Sequence, residues 1–318
     1  MFSLKIPLTC LLSLLIVGQA SAAADTVITY ADPTPGTVPE GTPIKVFLAG
    51  GQSNMRGRAT VLDKSNGNAQ NLPVDMRGEQ TDVLMVRGSQ NRVGDTLDYL
   101  QPGYSEEDPG SFGPEVPFGR TIADLFPEEN FAILKYARGG TNLRSNWNPD
   151  NPNENDYDKF IQTVNNGLQL LTDAGYDVQI VGMIWHQGES DAFDQTAENL
   201  TYQPDLVDFI ADIRSNYGED LPFMIGGIND VRDGTDFIIQ QQQAVATSDD
   251  FATFVRGDDL TFADDFHFDA PGMITLGERF ANQYAADYGS LIPEPSSLML
   301  LGVGGLALVR RRRDWAGR

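Results

Sequence analysis

The sequence predicts an α/β fold in which a mostly parallel sheet is covered by helices on both faces. Predicted strands alternate with predicted helices along the body of the chain, the order found in parallel α/β proteins. Most of these strands are continuous apolar runs, as expected when both faces of a sheet are buried. Three strands run directly into glycine or polar clusters, at residues 51–54, 139–141 and 186–189. Because ligands bind at the carboxyl ends of strands in such sheets, we expect the functional site where these clusters meet.

Apolar runs and turn residues predict the individual elements in chain order. Strands are predicted at residues 43–50, 82–87, 131–136, 177–185 and 221–226. Helices are predicted at residues 118–126, 157–174, 201–217, 237–246 and 270–288. The segments at residues 91–117 and 142–158 are rich in turn-forming residues and are predicted to be loops.

Both ends of the chain carry targeting patterns. Residues 1–22 combine Lys5, an apolar run and a small-residue cleavage site, which predicts a secretory signal peptide. Residues 292–318 combine Pro-Glu-Pro, an apolar segment at residues 298–309 and four arginines. This tail resembles the PEP-CTERM sorting signal of Gram-negative bacteria, which implies sorting by an exosortase and removal of the tail. Between these signals we expect an extended lead-in at residues 23–43 and one domain at residues 44–290.

The two signals imply a protein exported to the periplasm, the outer surface or the extracellular matrix, with transient membrane contact through its termini only. The chain has 45 acidic and 22 basic residues and a formal net charge of −23. Such a surface repels nucleic-acid phosphates and anionic membranes, so we expect no nucleic-acid partner. The single cysteine, Cys10, lies in the predicted signal peptide, which leaves the mature protein without disulfide or thiol chemistry.

Neither a metal nor a phosphate-binding cofactor is predicted. The chain has two histidines, His186 and His267, without the thiols or the paired histidines of a zinc site. The Gly-Gly turn before Ser53 lacks the GxGxxG spacing and the lysine of a P-loop. Ser53 is instead a candidate nucleophile. A serine nucleophile needs a histidine base that a carboxylate holds in one tautomer. Asp264 lies three residues before His267 on a predicted loop, although the adjacent Asp265 would serve equally well.

Four motifs in this order resemble those of the sialate O-acetylesterase-like family of SGNH hydrolases, which includes carbohydrate esterase family 6. They are GQSNMRGR at residues 51–58, ARGGT at 137–141, WHQGESD at 185–191 and DDFH at 264–267. The resemblance covers about residues 44–288. It implies a three-layer α/β/α sandwich of the flavodoxin-like SGNH type, with ester hydrolysis through an acyl-enzyme and without metal or cofactor.

Motif by motif, the resemblance implies roles for particular residues. Ser53 matches the nucleophile, His267 the base and Asp264 its partner. The implied oxyanion donors are the backbone N–H of Ser53, the backbone N–H of Gly139 or Gly140, and the side chain of Gln187. The residues expected to support the site are Gln52, Asn54 and Glu189. His186 is expected to be structural and to hold the strand end near Glu189.

The sequence therefore predicts a secreted serine esterase that removes O-acetyl groups from a glycan such as sialate, xylan or another acetylated polysaccharide. The loops at residues 60–115 and 142–158 are expected to line its pocket. The sorting tail favours a second hypothesis, a non-catalytic glycan-binding protein of the cell surface or matrix on an inactive esterase fold.

Overall fold

The computed structural model describes residues 39–63, 69–90, 92–103, 110–151, 156–193, 201–229 and 234–292. The predicted signal peptide, most of the predicted lead-in and almost all of the predicted sorting tail, including its apolar segment, lie outside these residues. The expected membrane contact through the termini lies outside them as well.

Seven strands form one mixed, mostly parallel sheet in the order β11-β10-β9-β1-β8-β5-β6. The antiparallel member is β6, which pairs with β5 at one edge. Within the described residues the strands are β1 (Thr42–Gly51), β2 (Ala59–Thr60), β3 (Leu62–Asp63), β4 (Ala69–Gln70), β5 (Gln80–Ser89), β6 (Leu97–Leu100), β7 (Ser111–Phe112), β8 (Phe131–Ala137), β9 (Tyr176–His186), β10 (Phe223–Gly226) and β11 (Ala252–Val255). The short pairs β2–β7 and β3–β4 lie outside the main sheet.

Helices cover both faces of the sheet. In the described residues they are α1 (Ser53–Arg56), α2 (Glu115–Leu125), α3 (Leu143–Asn146), α4 (Asp156–Asp173), α5 (Glu189–Phe193), α6 (Tyr202–Tyr217), α7 (Thr235–Ser248) and α8 (Ala270–Tyr288), with 3₁₀ turns at Val74–Met76 and Gly289–Leu291. Helices α4, α6 and α7 contribute to the apolar core on one face. Helices α2 and α8 contribute to the core on the other face, so the expected three-layer α/β/α sandwich is confirmed.

The central strand β1 alternates between the two cores. Val46 and Leu48 belong to the core with α4 and α6, whereas Phe47 and Ala49 belong to the core with α2 and α8. This period of two buries every residue of the strand from Ile44 onward, which explains why its sequence is a nearly continuous apolar run.

The register of the sheet brings three strand ends together. Gly51, the last residue of β1, lies opposite Ala137 on β8 and His186 on β9, and both pairings are parallel. The segments that follow these three residues therefore leave the sheet side by side. They are the three glycine and polar clusters of the sequence, which meet at one edge as expected.

The principal predicted strands and helices are all present, and the differences lie at short or irregular elements. Helix α2 begins at Glu115, three residues before the predicted start. Pro117 falls within its first turn, where a proline is tolerated. The predicted loop at residues 91–117 contains β6 and β7. Strand β11 is not predicted from the sequence, because four residues of mixed burial at a sheet edge carry almost no periodic pattern.

Candidate active site

Ser53 stands at the first turn after the central strand. Gly51 has φ of +149°, and a Cβ atom at this position would lie 2.0 Å from the backbone oxygen of His186. Only glycine therefore lets β1 pass so close to the end of β9. The N–H of Gln52 donates to that same His186 oxygen at 3.0 Å, and α1 starts at the next residue.

The three predicted catalytic side chains form one hydrogen-bonded chain. His267 Nε2 lies 3.0 Å from Ser53 Oγ, and His267 Nδ1 lies 2.8 Å from Asp264 Oδ2. The other carboxylate oxygen, Asp264 Oδ1, accepts from the backbone N–H of Phe266 at 3.0 Å and of His267 at 2.8 Å. These bonds are made by Asp264 and not by the adjacent Asp265, so the geometry favours Asp264 as the partner of His267.

The surroundings of Asp264 favour its charged form. Burial acts to raise the pKa of Asp264, but hydrogen bonds from the His267 ring and from two backbone N–H groups outweigh it and lower the pKa. A carboxylate beside Nδ1 assigns the ring proton to that nitrogen, which leaves Nε2 as an acceptor facing Ser53.

Asn54 joins the serine turn to the histidine loop. Its Nδ2 donates to Glu189 Oε1 at 2.6 Å and to the backbone oxygen of Phe266 at 3.0 Å. Its Oδ1 accepts from the backbone N–H of Phe268 at 3.1 Å. One buried amide thus links α1, α5 and the segment on both sides of His267.

Gly139 lies against Ser53. A Cβ atom at Gly139 would be 3.5 Å from Ser53 Cβ, whereas one at Gly140 would meet nothing within 4 Å. None of the described residues accepts a hydrogen bond from the backbone N–H of Ser53 or of Gly139. The geometry therefore favours Gly139 over Gly140 as the glycine whose N–H accompanies that of Ser53.

Gln187 is placed differently from the other predicted residues. It is fully buried, and its Nε2 donates to the backbone oxygen of Thr141 at 3.0 Å, to Gln52 Oε1 at 3.2 Å and to the carboxylate of Asp191. It is absent from the described residues that line the cleft beside Ser53. To act as an oxyanion donor, the Gln187 amide would have to break its hydrogen bonds to Thr141 and Asp191.

Gln52, by contrast, lines the cleft and binds the neighbouring strand end. Its Oε1 accepts from the side chain of Gln187 and from the backbone N–H of Ser190 at 3.2 Å. Asp191, the carboxylate partner of Gln187, was not singled out from the sequence, although it lies within the WHQGESD motif. Burial raises the pKa of Asp191 to about 7 against the hydrogen bonds that it accepts from Gln187 and Leu143.

The second histidine lies beneath the site. His186 is fully buried, and its Nδ1 is 3.4 Å from Glu189 Oε1, in agreement with its expected position near that residue. Burial lowers the pKa of His186, against the attraction of Glu189. Its ring packs edge-on against Phe268, the residue after His267, with centroids 5.5 Å apart.

A cleft of about 370 Å³ opens beside Ser53. Its lining residues are Gln52, Ser53, Arg56, Arg58, Gln90, Gly139, Gly140, Ser190, Phe266 and His267. Five of these were not predicted. Arg56, Arg58, Ser190 and Phe266 lie inside the four motifs, whereas Gln90 carried no signal beyond its place after a predicted strand.

Only one of the two loops expected to line the pocket does so among the described residues. Gln90 comes from the segment at residues 60–115, but no described residue of 142–158 lines this cleft. Instead, residues 143–150 border a separate groove of about 300 Å³ against α6.

The sheet order, the two helical layers and the strand-end site define the fold class of the SGNH hydrolases. A family model described as carbohydrate esterase, sialic acid-specific acetylesterase matches residues 43–286. The chain belongs to this family. The PEP-CTERM protein-sorting motif matches residues 291–313. No curated protein matches the chain by sequence.

Solved structures with the same fold include three of low sequence identity. A protein of Arabidopsis thaliana is 19% identical with a TM-score of 0.63, covering 77% of this chain and 99% of that chain. A carbohydrate acetylesterase from Xanthomonas citri is 18% identical with a TM-score of 0.53, covering 77% and 57%. NanS is 13% identical with a TM-score of 0.57, covering 80% and 100%. These similarities concern the fold.

Family membership supports hydrolase activity on acetyl esters of carbohydrates, and the sorting motif supports export. The sorting motif implies handling by exosortase-type machinery. Over the described ranges, which stop at residue 292, every helix is too short or too polar to cross a membrane.

Proposed function

We propose that the protein is a secreted serine esterase that removes O-acetyl groups from a glycan through an acyl-enzyme. One observation carries this proposal, the continuous chain from Ser53 Oγ to His267 Nε2 at 3.0 Å and from His267 Nδ1 to Asp264 at 2.8 Å. A hydroxyl, an imidazole acceptor and an ionised carboxylate in this order are what activation of a serine requires.

The reaction has two halves. In the first, Ser53 Oγ attacks the acetyl carbonyl carbon while His267 Nε2 takes the hydroxyl proton. The tetrahedral intermediate then collapses, the bond to the sugar oxygen breaks, and His267 returns the proton to the departing sugar hydroxyl. In the second half, water gives a proton to His267 and attacks the acetyl-Ser53 carbonyl carbon. The bond to Ser53 Oγ then breaks, His267 returns the proton to Ser53 Oγ, and acetate leaves.

The negative charge of each intermediate needs preorganised donors. The backbone N–H groups of Ser53 and Gly139 suit this role, because the two residues lie against each other and their N–H groups donate to no described residue. Each such donor contributes about 3 kcal/mol to stabilisation of the transition state. Gln187 becomes a third donor in this proposal only when its amide turns from Thr141 and Asp191 toward the cleft. Gln52, Asn54 and Glu189 hold the serine turn in place.

The substrate class in this proposal is an acetylated glycan, with sialate, xylan and other acetylated polysaccharides as candidates. An open cleft with amide, hydroxyl and guanidinium groups suits a sugar rich in hydroxyl groups, because each can be matched by a hydrogen bond. We further propose that the chain loses residues 1–22 on export and its tail after sorting, and then acts in the periplasm, at the outer surface or in the matrix.

Replacement of the candidate nucleophile tests the proposal. We expect wild type to hydrolyse p-nitrophenyl acetate and Ser53→Ala to lose roughly 10³-fold or more of kcat/KM. Ser215→Ala is the matched control, because Ser215 is an exposed serine on α6 and its hydroxyl donates only to a local backbone oxygen. Equal rates for wild type and Ser53→Ala would exclude the esterase. Acetate release from a panel of acetylated glycans then identifies the substrate.

The same experiment addresses the second candidate function. The sorting motif favours a protein of the cell surface or matrix, so a glycan-binding protein on an inactive esterase fold is the alternative. In that case neither wild type nor Ser53→Ala releases acetate, while both bind the same acetylated glycans in a pull-down with insoluble polysaccharide.

A further inference from the structure

A buried ion pair lies directly beneath the candidate site. Lys135 Nζ on β8 is 2.7 Å from Glu115 Oε2 at the start of α2, and each side chain is 1% exposed. The neighbours of Lys135 on the same face of the strand, Ile133 and Ala137, belong to the apolar core with α2 and α8. Because desolvation of two charges offsets most of their attraction, apolar side chains of similar volume would fill this space at no loss of stability.

Lys135 makes a hydrogen bond to α1 that an apolar residue could not make. Its ammonium donates to the backbone oxygen of Arg56 at 3.1 Å. Arg56 is the last residue of α1, and Ser53 is the first. The terminal carbonyl groups of a helix have no intrahelical partner, and a helix of a single turn is marginal by itself. A cation at its carboxyl end supplies the missing donor and a favourable charge.

Glu115 connects the same turn to α2. Its Oε1 accepts from the backbone N–H of Gly113 at 3.3 Å. Gly113 in turn packs against the exit of α1, since a Cβ atom at Gly113 would lie 2.7 Å from the backbone oxygen of Met55. The exit of α1 is thus held from the sheet by Lys135 and from α2 by the segment that Glu115 binds.

Lys135 keeps its proton at neutral pH. Burial lowers the pKa of Lys135 to about 8, with small contributions from Arg87 and Arg56, and Glu115 opposes this effect. The Lys135 ammonium is therefore available to donate to the Arg56 oxygen in an assay at neutral pH.

We propose that the Lys135–Glu115 pair positions the nucleophile from the carboxyl end of α1, in addition to the residues that hold the serine turn at its start. By anchoring the end of α1, it holds Ser53 Oγ at hydrogen-bond distance from His267 Nε2. Lys135 and Glu115 are positioning residues and touch no substrate. The inference rests on the proposed function for the chemical role of Ser53. The anchoring of α1 by Lys135 and Glu115 does not depend on that role.

The test compares Lys135→Met with the double variant Lys135→Met/Glu115→Gln. Lys135→Met leaves the buried Glu115 carboxylate without its ionic partner, so we expect the thermal midpoint of this variant to fall. The double variant should regain stability, because no unpaired charge remains. In both variants kcat for p-nitrophenyl acetate falls about tenfold or more, as expected for a misplaced nucleophile, while KM changes by less than about twofold. Recovery of stability without recovery of kcat separates positioning from folding.

Lys45→Met is the matched control. Lys45 is also buried, at 3% exposure, and lies 3.9 Å from Glu129, but at the opposite end of the neighbouring strand β1. We expect it to lose stability and keep kcat. A double variant that regains kcat together with stability, or a Lys45→Met variant that loses as much kcat as Lys135→Met, would overturn the inference.

A crystal structure of Lys135→Met/Glu115→Gln gives a readout that is independent of turnover. We expect α1 to shift and the distance from Ser53 Oγ to His267 Nε2 to exceed the limit of a hydrogen bond, about 3.5 Å. An unmoved α1 refutes the positioning role even in an active esterase. A shifted α1 in a protein whose wild type hydrolyses no ester refutes the proposed function and leaves the positioning role intact.

Discussion

Asp264 and Asp265 are adjacent in the chain, yet Asp264 is the one that binds the His267 ring. Asp264 accepts from His267 Nδ1 at 2.8 Å with one oxygen and from two backbone N–H groups with the other. The second set of bonds shapes the turn, so the same side chain both bends the loop and selects the tautomer of His267.

We expect Asp264→Asn to lower kcat/KM for p-nitrophenyl acetate by about 10² to 10⁴-fold, because an amide N–H opposite Nδ1 favours the wrong imidazole tautomer. The remaining amide oxygen can still accept the two backbone N–H groups, so the thermal midpoint should change little. Asp265→Asn is the matched control and should stay within about twofold of wild type. A larger loss in Asp265→Asn than in Asp264→Asn would contradict the assignment.

At the scale of elements, the site depends on three strand ends that finish level with one another. Gly51 lies opposite Ala137 and His186 in the parallel register. Hydrogen bonds between the segments that follow these strands hold the segments together. Asn54 makes three of them, one to α5 and one to each side of His267.

We expect Asn54→Ala to destabilise the protein by roughly 2 to 4 kcal/mol and to lower kcat, because it leaves the buried Glu189 carboxylate and the N–H of Phe268 without this partner. Urea unfolding measures the stability, and p-nitrophenyl acetate turnover measures kcat. Asn282→Ala is the control, since Asn282 is exposed on α8 and donates only within that helix. An Asn54→Ala variant as stable as Asn282→Ala would show that the turns hold together without this amide.

At the scale of the whole molecule, the dominant property is charge. The chain carries a formal net charge of −23 and has a sequence isoelectric point near 4.2. Mutual repulsion of this size opposes the compact state and is screened by salt.

We expect the thermal midpoint at neutral pH to rise as sodium chloride increases from about 10 to 300 mM, where the Debye length falls below about 6 Å, and then to level off. Scanning calorimetry of the mature protein measures this. Near the isoelectric point the same salt series should have little effect, because little net repulsion remains. A midpoint at neutral pH that stays constant or falls with salt would show that local ion pairs outweigh the net repulsion.

Much of the fold was predictable because the central strands are buried on both faces and therefore consist of uninterrupted apolar residues. Strand β1 and helix α8 illustrate this: Thr42–Gly51 and Ala270–Tyr288 lie within two residues of their predicted bounds. The short edge strands β6 and β11 were not predictable, since four residues with mixed burial have too little pattern to distinguish a strand from a loop.

The sequence by itself determined the fold class, the family and the candidate catalytic trio. Apolar runs and ordered motifs are local properties of the chain and can be recognised without its three-dimensional structure. The tertiary structure distinguished adjacent residues, because Asp264 rather than Asp265 binds the His267 ring and Gly139 rather than Gly140 lies against Ser53. It also placed Gln187 among buried acceptors and paired Lys135 with Glu115 beneath α1. These are matters of direction and distance between residues far apart in the chain, and only strand register and helix packing set them.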